Sequence, residues 1–314
     1  MEGEVIVARG LVTGTGSFAG ASVALALAEK SASLTAHHRS RTIWSDLLSR
    51  HPSITVISGD LNHDRVTLRP DGGLDYVVNC AAATTATDTA TLVKDNIDAT
   101  RRLIGAVLET DCRLWIQMST VSVHGANTNG SISRTSPIVE PLPYGASKRV
   151  AEALLEEASD RFAVRCLRLP AILGAGARGH WPSRVLNAAN FDDPVTIFNP
   201  EKPFNNAVHI DDLSAFVDHL TEAEHVGFDA FPIASTDPIT VAQAAQTLID
   251  SAGSGTVVTI DNSPRPSFYV DDAYARSSYG YASRSTYAAL RDYARLARYA
   301  RPGDDIGEKR PGPQ

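Results

Sequence analysis

The chain has 314 residues, 43% of them hydrophobic and 21% charged, a balance that builds a full apolar core without disulfide or metal staples. Its net charge of -7 argues against nucleic acid or an anionic membrane surface as the main partner, because both are held by clustered Lys and Arg. Cys80, Cys112 and Cys166 are scattered without C-x-x-C spacing, and the histidines show no ligand spacing, so reduced thiols and no metal are expected.

The first residues, Met1 to Val5, lack the positive start and apolar core of a signal peptide, and no apolar run reaches membrane-spanning length; a cytoplasmic protein is expected. From Gly10 onward short apolar runs alternate with helix-sized ones. Strands are predicted at Gly10 to Thr13, Leu34 to Ala36, Ile54 to Ser58, Asp75 to Asn79 and Leu114 to Met118. Between them, Ala19 to Glu29, Ile43 to Ser49 and Thr91 to Glu109 carry helical periodicity. Brief apolar strands separated by helices imply an α/β protein with a Rossmann-type doubly wound parallel sheet, covered on both faces. A helix at Tyr144 to Ala158 and a strand at Ala163 to Arg168 continue the pattern.

Beyond Gly174 the texture changes to Pro, Gly and shorter elements. Val195 to Phe198, Phe228 to Ile233 and Thr256 to Ile260 read as isolated strands among helices at Asp211 to Thr221, Ile239 to Ala252 and Tyr287 to Tyr299. The expected organisation is a dinucleotide-binding domain over 1–174, a smaller C-terminal substrate lobe over 175–300, partly interwoven with the first, and a flexible tail over 301–314.

Three stretches carry chemistry. In Val12-Thr-Gly-Thr-Gly-Ser-Phe-Ala-Gly20 a strand breaks into glycines and opens a helix, bringing backbone N–H groups and the positive end of a helix dipole to one point where a pyrophosphate sits. Gly14 permits the tight turn, Gly16 lets phosphate approach the backbone, and Gly20 lets the helix lie close on the strand; Ser17, Phe18 and Ala19 fill the remaining positions of the turn. In Tyr144-Gly-Ala-Ser-Lys148 a phenol and an ammonium share one helix face, an arrangement in which the cation lowers the phenol's pKa and suits it to general acid–base work. Met118-Ser-Thr-Val-Ser-Val-His-Gly125 ends a strand in hydroxyls at its carboxyl end, the ligand side of such sheets.

Together these stretches resemble the short-chain dehydrogenase/reductase family, in its extended branch of epimerase- and dehydratase-like enzymes. Gly59-Asp-Leu61, Asn79-Cys-Ala-Ala-Ala83, Asn96-Ile-Asp-Ala-Thr100, Leu167-Arg-Leu-Pro170 and Val208-His-Ile-Asp-Asp-Leu213 add to the match. The resemblance implies a bound nicotinamide cofactor. It assigns Thr120 to the reacting oxygen, with Ser119 and Ser122 near enough to be rivals, Tyr144 to proton transfer, and Lys148 to tuning the Tyr and contacting the ribose. It further implies that Asp60 and Leu61 contact adenine, that Ala81, Ala82 and Ala83 line the cofactor with Leu169, and that Asn96 supports the backbone near the site. A homodimer joined through the helices before and around Tyr144 is implied as well.

Enzymes of this type that use NAD place an acidic residue after the second strand, but here that place reads His37-His-Arg-Ser-Arg41. Arg39, with His38 and Ser40, is expected to pair with a 2'-phosphate, favouring NADP(H) over NAD(H).

Departures from the family pattern shape the expected reaction. Val121 and Ser122 stand where dehydratases carry Asp-Glu, and Ala171 and Asn205 stand where nucleotide-sugar epimerases carry diphosphate contacts, with Arg265 matching a remaining one. The leading expectation is an NADPH-dependent reductase that turns a ketone on a small polar, sugar-like or natural-product substrate into a secondary alcohol, with Tyr144 as proton donor. The alternatives are a nucleoside-diphosphate-sugar 4-epimerase with tightly held NAD(P), and a non-catalytic NAD(P)-sensing protein. Thr84, Ser122, His124, His180, Trp181 and Asn205 are the candidate substrate contacts, with Phe204 and Asn206 beside them.

Overall fold

The structure is a computed structural model and describes residues 9–31, 33–63, 73–84, 88–126, 130–263 and 265–299. The expected tail over 301–314 lies outside the described residues. No helix among the described residues is long and apolar enough to cross a membrane.

β1 (Arg9–Thr13) runs through Gly14 into α1 (Phe18–Ala28), whose first turn Ser17 caps by accepting the Gly20 N–H. β2 (Ser33–His38), α2 (Ile43–Leu48), β3 (Ile54–Ser58) and β4 (Tyr76–Asn79) follow. Then α3 (Thr89–Leu92), a π-helical turn (Val93–Asp98) and α4 (Ala99–Val107) run on without a break. β5 (Leu114–Thr120) passes into a 3-10 turn (Val121–His124) and the short β6 (Ser131–Ile132). α5 (Pro143–Glu157) and β7 (Ala163–Leu169) complete this half.

Seven parallel strands form the main sheet in the order β12-β7-β5-β4-β1-β2-β3, where β12 is Phe228–Pro232. Consecutive residues of the inner strands enter opposite cores, as a period of two requires. Val12, Val78 and Ile116 pack under α1, α2 and α7 (Ile210–Glu222), whereas Leu11, Val77 and Trp115 pack under α4 and α5. With both faces covered, these strands read as continuous apolar runs. Strand order reverses between β1 and β4, which opens a crevice at their carboxyl ends. There Thr13 lies opposite Asn79, and Asn79 opposite Gln117. The Thr13 hydroxyl donates to Asn79 Oδ1 at 2.5 Å and Asn79 Nδ2 donates to Gln117 Oε1 at 3.0 Å, a buried polar ladder that holds the strand ends in register.

The second lobe contains β8 (Ala171–Leu173), α6 (Trp181–Asn190), β9 (Val195–Phe198), β10 (Pro203–Phe204) and β11 (Ala207–His209). After β12 come β13 (Ile239–Thr240), α8 (Val241–Ala252), β14 (Val258–Asp261), β15 (Tyr269–Val270), α9 (Ala273–Tyr279) and α10 (Thr286–Tyr299). Its own core gathers Val185, Leu186, Ile197, Leu248 and Leu290 from α6, β9, α8 and α10. The strand expected to stand alone at Phe228 to Ile233 does not: β12 pairs with β7, Phe228 opposite Val164, and extends the main sheet. α7 likewise packs with α1 in the sheet's core, so a boundary at 174 divides the chain but not the two bodies.

Candidate active site

The glycine turn is tight where the sequence says it must be. Gly14 has φ +71, and a Cβ there would lie 2.5 Å from the Ala81 nitrogen. A Cβ on Gly20 would lie 2.4 Å from the Gly14 carbonyl oxygen, so α1 can approach β1 this closely only without a side chain. Gly16 has ordinary clearance, 3.4 Å to the Ser40 oxygen, and lines a cavity of 240 Å3 at the sheet's switch point. Thr42 lines the same cavity and its hydroxyl donates to the Gly16 carbonyl at 3.0 Å, fastening the turn. No acidic residue occupies the first turn of α1, which leaves its dipole for an anion. A glycine cradle, a helix N-terminus and an adjoining cavity fit a dinucleotide.

Of the expected cofactor residues, Gly14, Gly16 and Ser17 line this cavity, as do Arg39, Ser40, Asp60 and Leu61 on one wall and Ala81 and Ala82 on another. Phe18 instead rests against Trp44, ring centroids 5.8 Å apart, and Ala19 packs on the core beneath. Ala83 exchanges two backbone hydrogen bonds with the Asn96 amide, at 2.7 and 3.2 Å. Leu169 is a core residue opposite Thr120 across β5 and β7. His38 is 6% exposed, its Nδ1 has no hydrogen-bond partner, and burial lowers its pKa.

Sequence reading missed Asn62 and Asp95, which both line the cavity. Arg39 Nη1 donates to Asp95 Oδ2 at 2.7 Å, and Asn62 Nδ2 donates to Asp95 Oδ1 at 3.3 Å. The expected basic pocket is therefore an ion pair. The carboxylate absent after β2 arrives from the π-helical turn, whose wider winding presents Asp95 to Arg39 while the next residue, Asn96, faces Ala83 and Ser147.

Thr120 ends β5 and caps the 3-10 turn, its Oγ1 accepting the Ser122 N–H at 3.1 Å. Tyr144 sits in the first turn of α5, where the Thr120 side chain is near enough to its phenol to favour the phenolate. Asn96 Nδ2 donates to the Ser147 hydroxyl at 2.9 Å, and that hydroxyl donates to the Tyr144 carbonyl at 2.8 Å, fixing the start of α5. Lys148 follows one turn on and is 2% exposed. The electrostatics differ from the expectation of a phenol tuned down by its neighbour. Burial pushes the Tyr144 phenol up to about 12, against the opposing pull of the nearby Thr120 side chain, and pushes the Lys148 ammonium down to about 8.

The expected substrate contacts divide. Ser122 and Thr84 are exposed near the crevice residues Thr120 and Ala83 in sequence. Trp181 packs on Phe204, ring centroids 5.0 Å apart, in the second lobe. His180 caps α6, accepting the Ser183 N–H on Nδ1, and burial pushes its pKa down to about 4. Two assignments are corrected. His124 is fully buried, with Nδ1 bonded to the Pro137 carbonyl at 3.2 Å and Nε2 to Arg168 at 3.3 Å, so no ring atom remains for a substrate. Asn205 is 2% exposed and spends its amide on the Ser235 and Val270 carbonyls and the Val270 N–H, a staple between loops of the second lobe.

The chain is similar to the low-salt glycan biosynthesis protein Agl12 of Haloferax volcanii, 22% identical over 211 residues that cover 65% of this chain and 67% of that protein. Among solved structures it superposes on the UDP-glucuronic acid 4-epimerase from Bacillus cereus in complex with NAD, with a TM-score of 0.80 at 21% identity, covering 93% of this chain and 99% of that one. It also superposes on the dTDP-glucose 4,6-dehydratase from Bacillus anthracis in complex with NAD, with a TM-score of 0.77 at 15% identity over 92% and 96% of the two chains. These structural likenesses are likenesses of fold. Residues 10–234 match the model of the NAD dependent epimerase/dehydratase family, and the chain belongs to that family.

Proposed function

We propose that this protein is a sugar-nucleotide epimerase working with NAD(H), in which a secondary alcohol is oxidised to a ketone and then reduced on its other face. The observation that carries the reading is the placement of Tyr144 at the start of α5 beside the Thr120 end of β5, with Lys148 buried one turn along the same helix. Tyr144 takes the carbinol proton as the carbonyl forms and returns it when the alcohol is restored. Thr120 holds the same oxygen, and the Lys148 ammonium favours the phenolate. The cofactor, when bound, supplies the hydride acceptor and donor. Gly14, Gly16 and Ser17 would hold its pyrophosphate, and Asp60, Leu61 and Asn62 its adenosine end. NAD(H) is preferred to NADP(H) because Asp95 already neutralises Arg39, and because the solved relatives above carry NAD. Thr84, Ser122, His180 and Trp181 are proposed to face the substrate.

One-way reduction of a ketone is the second reading. It is favoured by Asn205, which is locked into the protein rather than free for a diphosphate, and by Ala171, which has no polar side chain to offer. Incubation with UDP- and dTDP-sugars and a catalytic trace of NAD separates the two. Interconversion of sugars without net absorbance change at 340 nm supports the epimerase. Steady NADH or NADPH consumption with ketones and no sugar interconversion overturns it. Tyr144→Phe should lower either activity by about 100- to 10,000-fold while leaving cofactor affinity unchanged, and unaltered behaviour would point to a sensing protein. The same reading includes a homodimer through the helical segment that ends in α4 and through α5, supported by Val93 at the start of the π-helical turn and Val150 on α5, 42% and 43% exposed, and a cytoplasmic location suited to three free thiols.

A further inference from the structure

Glu152 is fully buried one turn beyond Lys148 on α5, so the two side chains share a helix face. Its Oε1 accepts from the Ser119 hydroxyl at 2.6 Å and from Arg168 Nε at 3.1 Å, while Oε2 accepts from Arg168 Nη2 at 2.9 Å. Ser119 and Arg168 lie directly opposite each other across β5 and β7. Arg168 Nη1 reaches on to His124 Nε2, and the remaining proton on His124 Nδ1 goes to the Pro137 carbonyl. One carboxylate thus pins β5 beside Thr120, the helix that carries Tyr144 and Lys148, β7, and the turn that follows Thr120.

Little of this serves stability. A buried ion pair contributes little beyond an apolar group of equal volume, since desolvation of both charges offsets their attraction. The groups around Lys148 say what the charge does instead. Cys166 acts on it from β7, Glu152 from α5 and Cys80 from the end of β4, and Tyr144 stands one turn before it on the same helix. Burial pushes the Cys80 thiol up to about 12 and the Cys166 thiol well above its ordinary value, and the Tyr144 phenol up to about 12. All three are uncharged where Lys148 titrates, near pH 8, which leaves Glu152 as the single anion beside it among the described residues. Facing Glu152 are two cations, Arg168 and Arg149, and the His124 ring, kept neutral by burial.

We propose that Glu152 is a positioning residue, which holds Lys148 as an ammonium and locks Thr120 and Tyr144 into one register, with Arg168 balancing its charge. Its catalytic consequence rests on the reaction proposed above; its effect on Lys148 does not.

The test reads Lys148 directly. The chain has only five lysines, Lys30, Lys94, Lys148, Lys202 and Lys309, so NMR of [13C]lysine-labelled protein resolves their titrations, with Lys148→Arg assigning the resonance. Glu152→Gln keeps the size and removes the charge, and should lower the Lys148 titration midpoint by about one pH unit or more. Arg168→Gln removes the balancing cation and should raise it by a similar amount, and Glu152→Asp should stay near the parent value. The alkaline limb of the pH–kcat profile should follow the same order. Opposite shifts in the two charge variants support the proposal, and either alone carries its sign if the other variant does not fold. A Lys148 midpoint unmoved in a folded Glu152→Gln, or displaced the same way in both, overturns it. Opposite NMR shifts with no turnover of any sugar nucleotide or ketone sink the reaction reading instead and leave the positioning role standing.

Discussion

Arg39 and Asp95, 56 residues apart in sequence, meet in an ion pair of 2.7 Å across the wall of the nucleotide cavity. The guanidinium that would receive a 2'-phosphate is thereby already engaged. Arg39 is 58% exposed and Asp95 only 11%, so the carboxylate is the better-held partner and the arginine the movable one. Asp95→Asn should release Arg39 and raise affinity for NADP(H) about tenfold relative to NAD(H), a difference of about 1.4 kcal/mol. Fluorescence titration with both reduced cofactors measures the ratio, and an unchanged ratio removes Asp95 from cofactor choice.

The glycines of the turn should separate by role. Gly14→Ala forces φ +71 on an alanine and drives its Cβ into the Ala81 backbone, so both folding stability and cofactor binding should fall. Gly16→Ala meets nothing closer than 3.4 Å and should fold normally while losing cofactor affinity, because the new methyl group stands in the cavity. Thermal melts with and without NADH distinguish the two, and equal loss of stability in both variants contradicts this division.

Lys148 should cost the protein stability. Its folded pKa of about 8 lies below its unfolded value of 10.5, so between these limits the unfolded chain binds the extra proton and stability rises with pH. Lys148→Met should therefore be more stable than the parent at pH 7, by about 3 kcal/mol, and inactive. Urea unfolding at pH 7 and pH 10 checks both statements, since the gap between the two proteins should close at the higher pH.

His180 predicts an acid limit. Its folded pKa of about 4 lies below the unfolded 6.5, so its contribution is fully present above pH 6.5 and is lost as pH falls toward 4. The cost at pH 5 is about 2 kcal/mol. His180→Asn keeps an acceptor for the Ser183 N–H and does not titrate, and should hold its Tm between pH 7 and pH 5 better than the parent. A parallel fall in both proteins would assign the acid limit to other groups.

Much of the framework follows from local order in the chain. The strand–glycine–helix turn at Val12 to Gly20, the pairing of Tyr144 with Lys148 on one helix face, and the alternation of short apolar runs with helices each depend on neighbours a few residues apart, so their geometry is written in spacing alone. Other features depend on partners that only folding brings near. β12 joins the main sheet beside β7 across a sequence gap that holds most of the second lobe's first elements. The amides and rings at Asn205 and His124 look available in sequence but are saturated by carbonyls and a guanidinium reached through the fold. Asp95 turns toward Arg39 because a π-helical turn shifts the face it presents, a change of winding that no hydrophobic pattern reports. The sequence by itself determined the sheet, the glycine cradle and the placement of Tyr144 and Lys148 on one helix, since these rest on backbone conformation and helical period. Tertiary structure decided which polar groups remain free for ligand and which charge each one feels, since hydrogen bonding and desolvation belong to whatever surrounds a side chain rather than to its place in the chain.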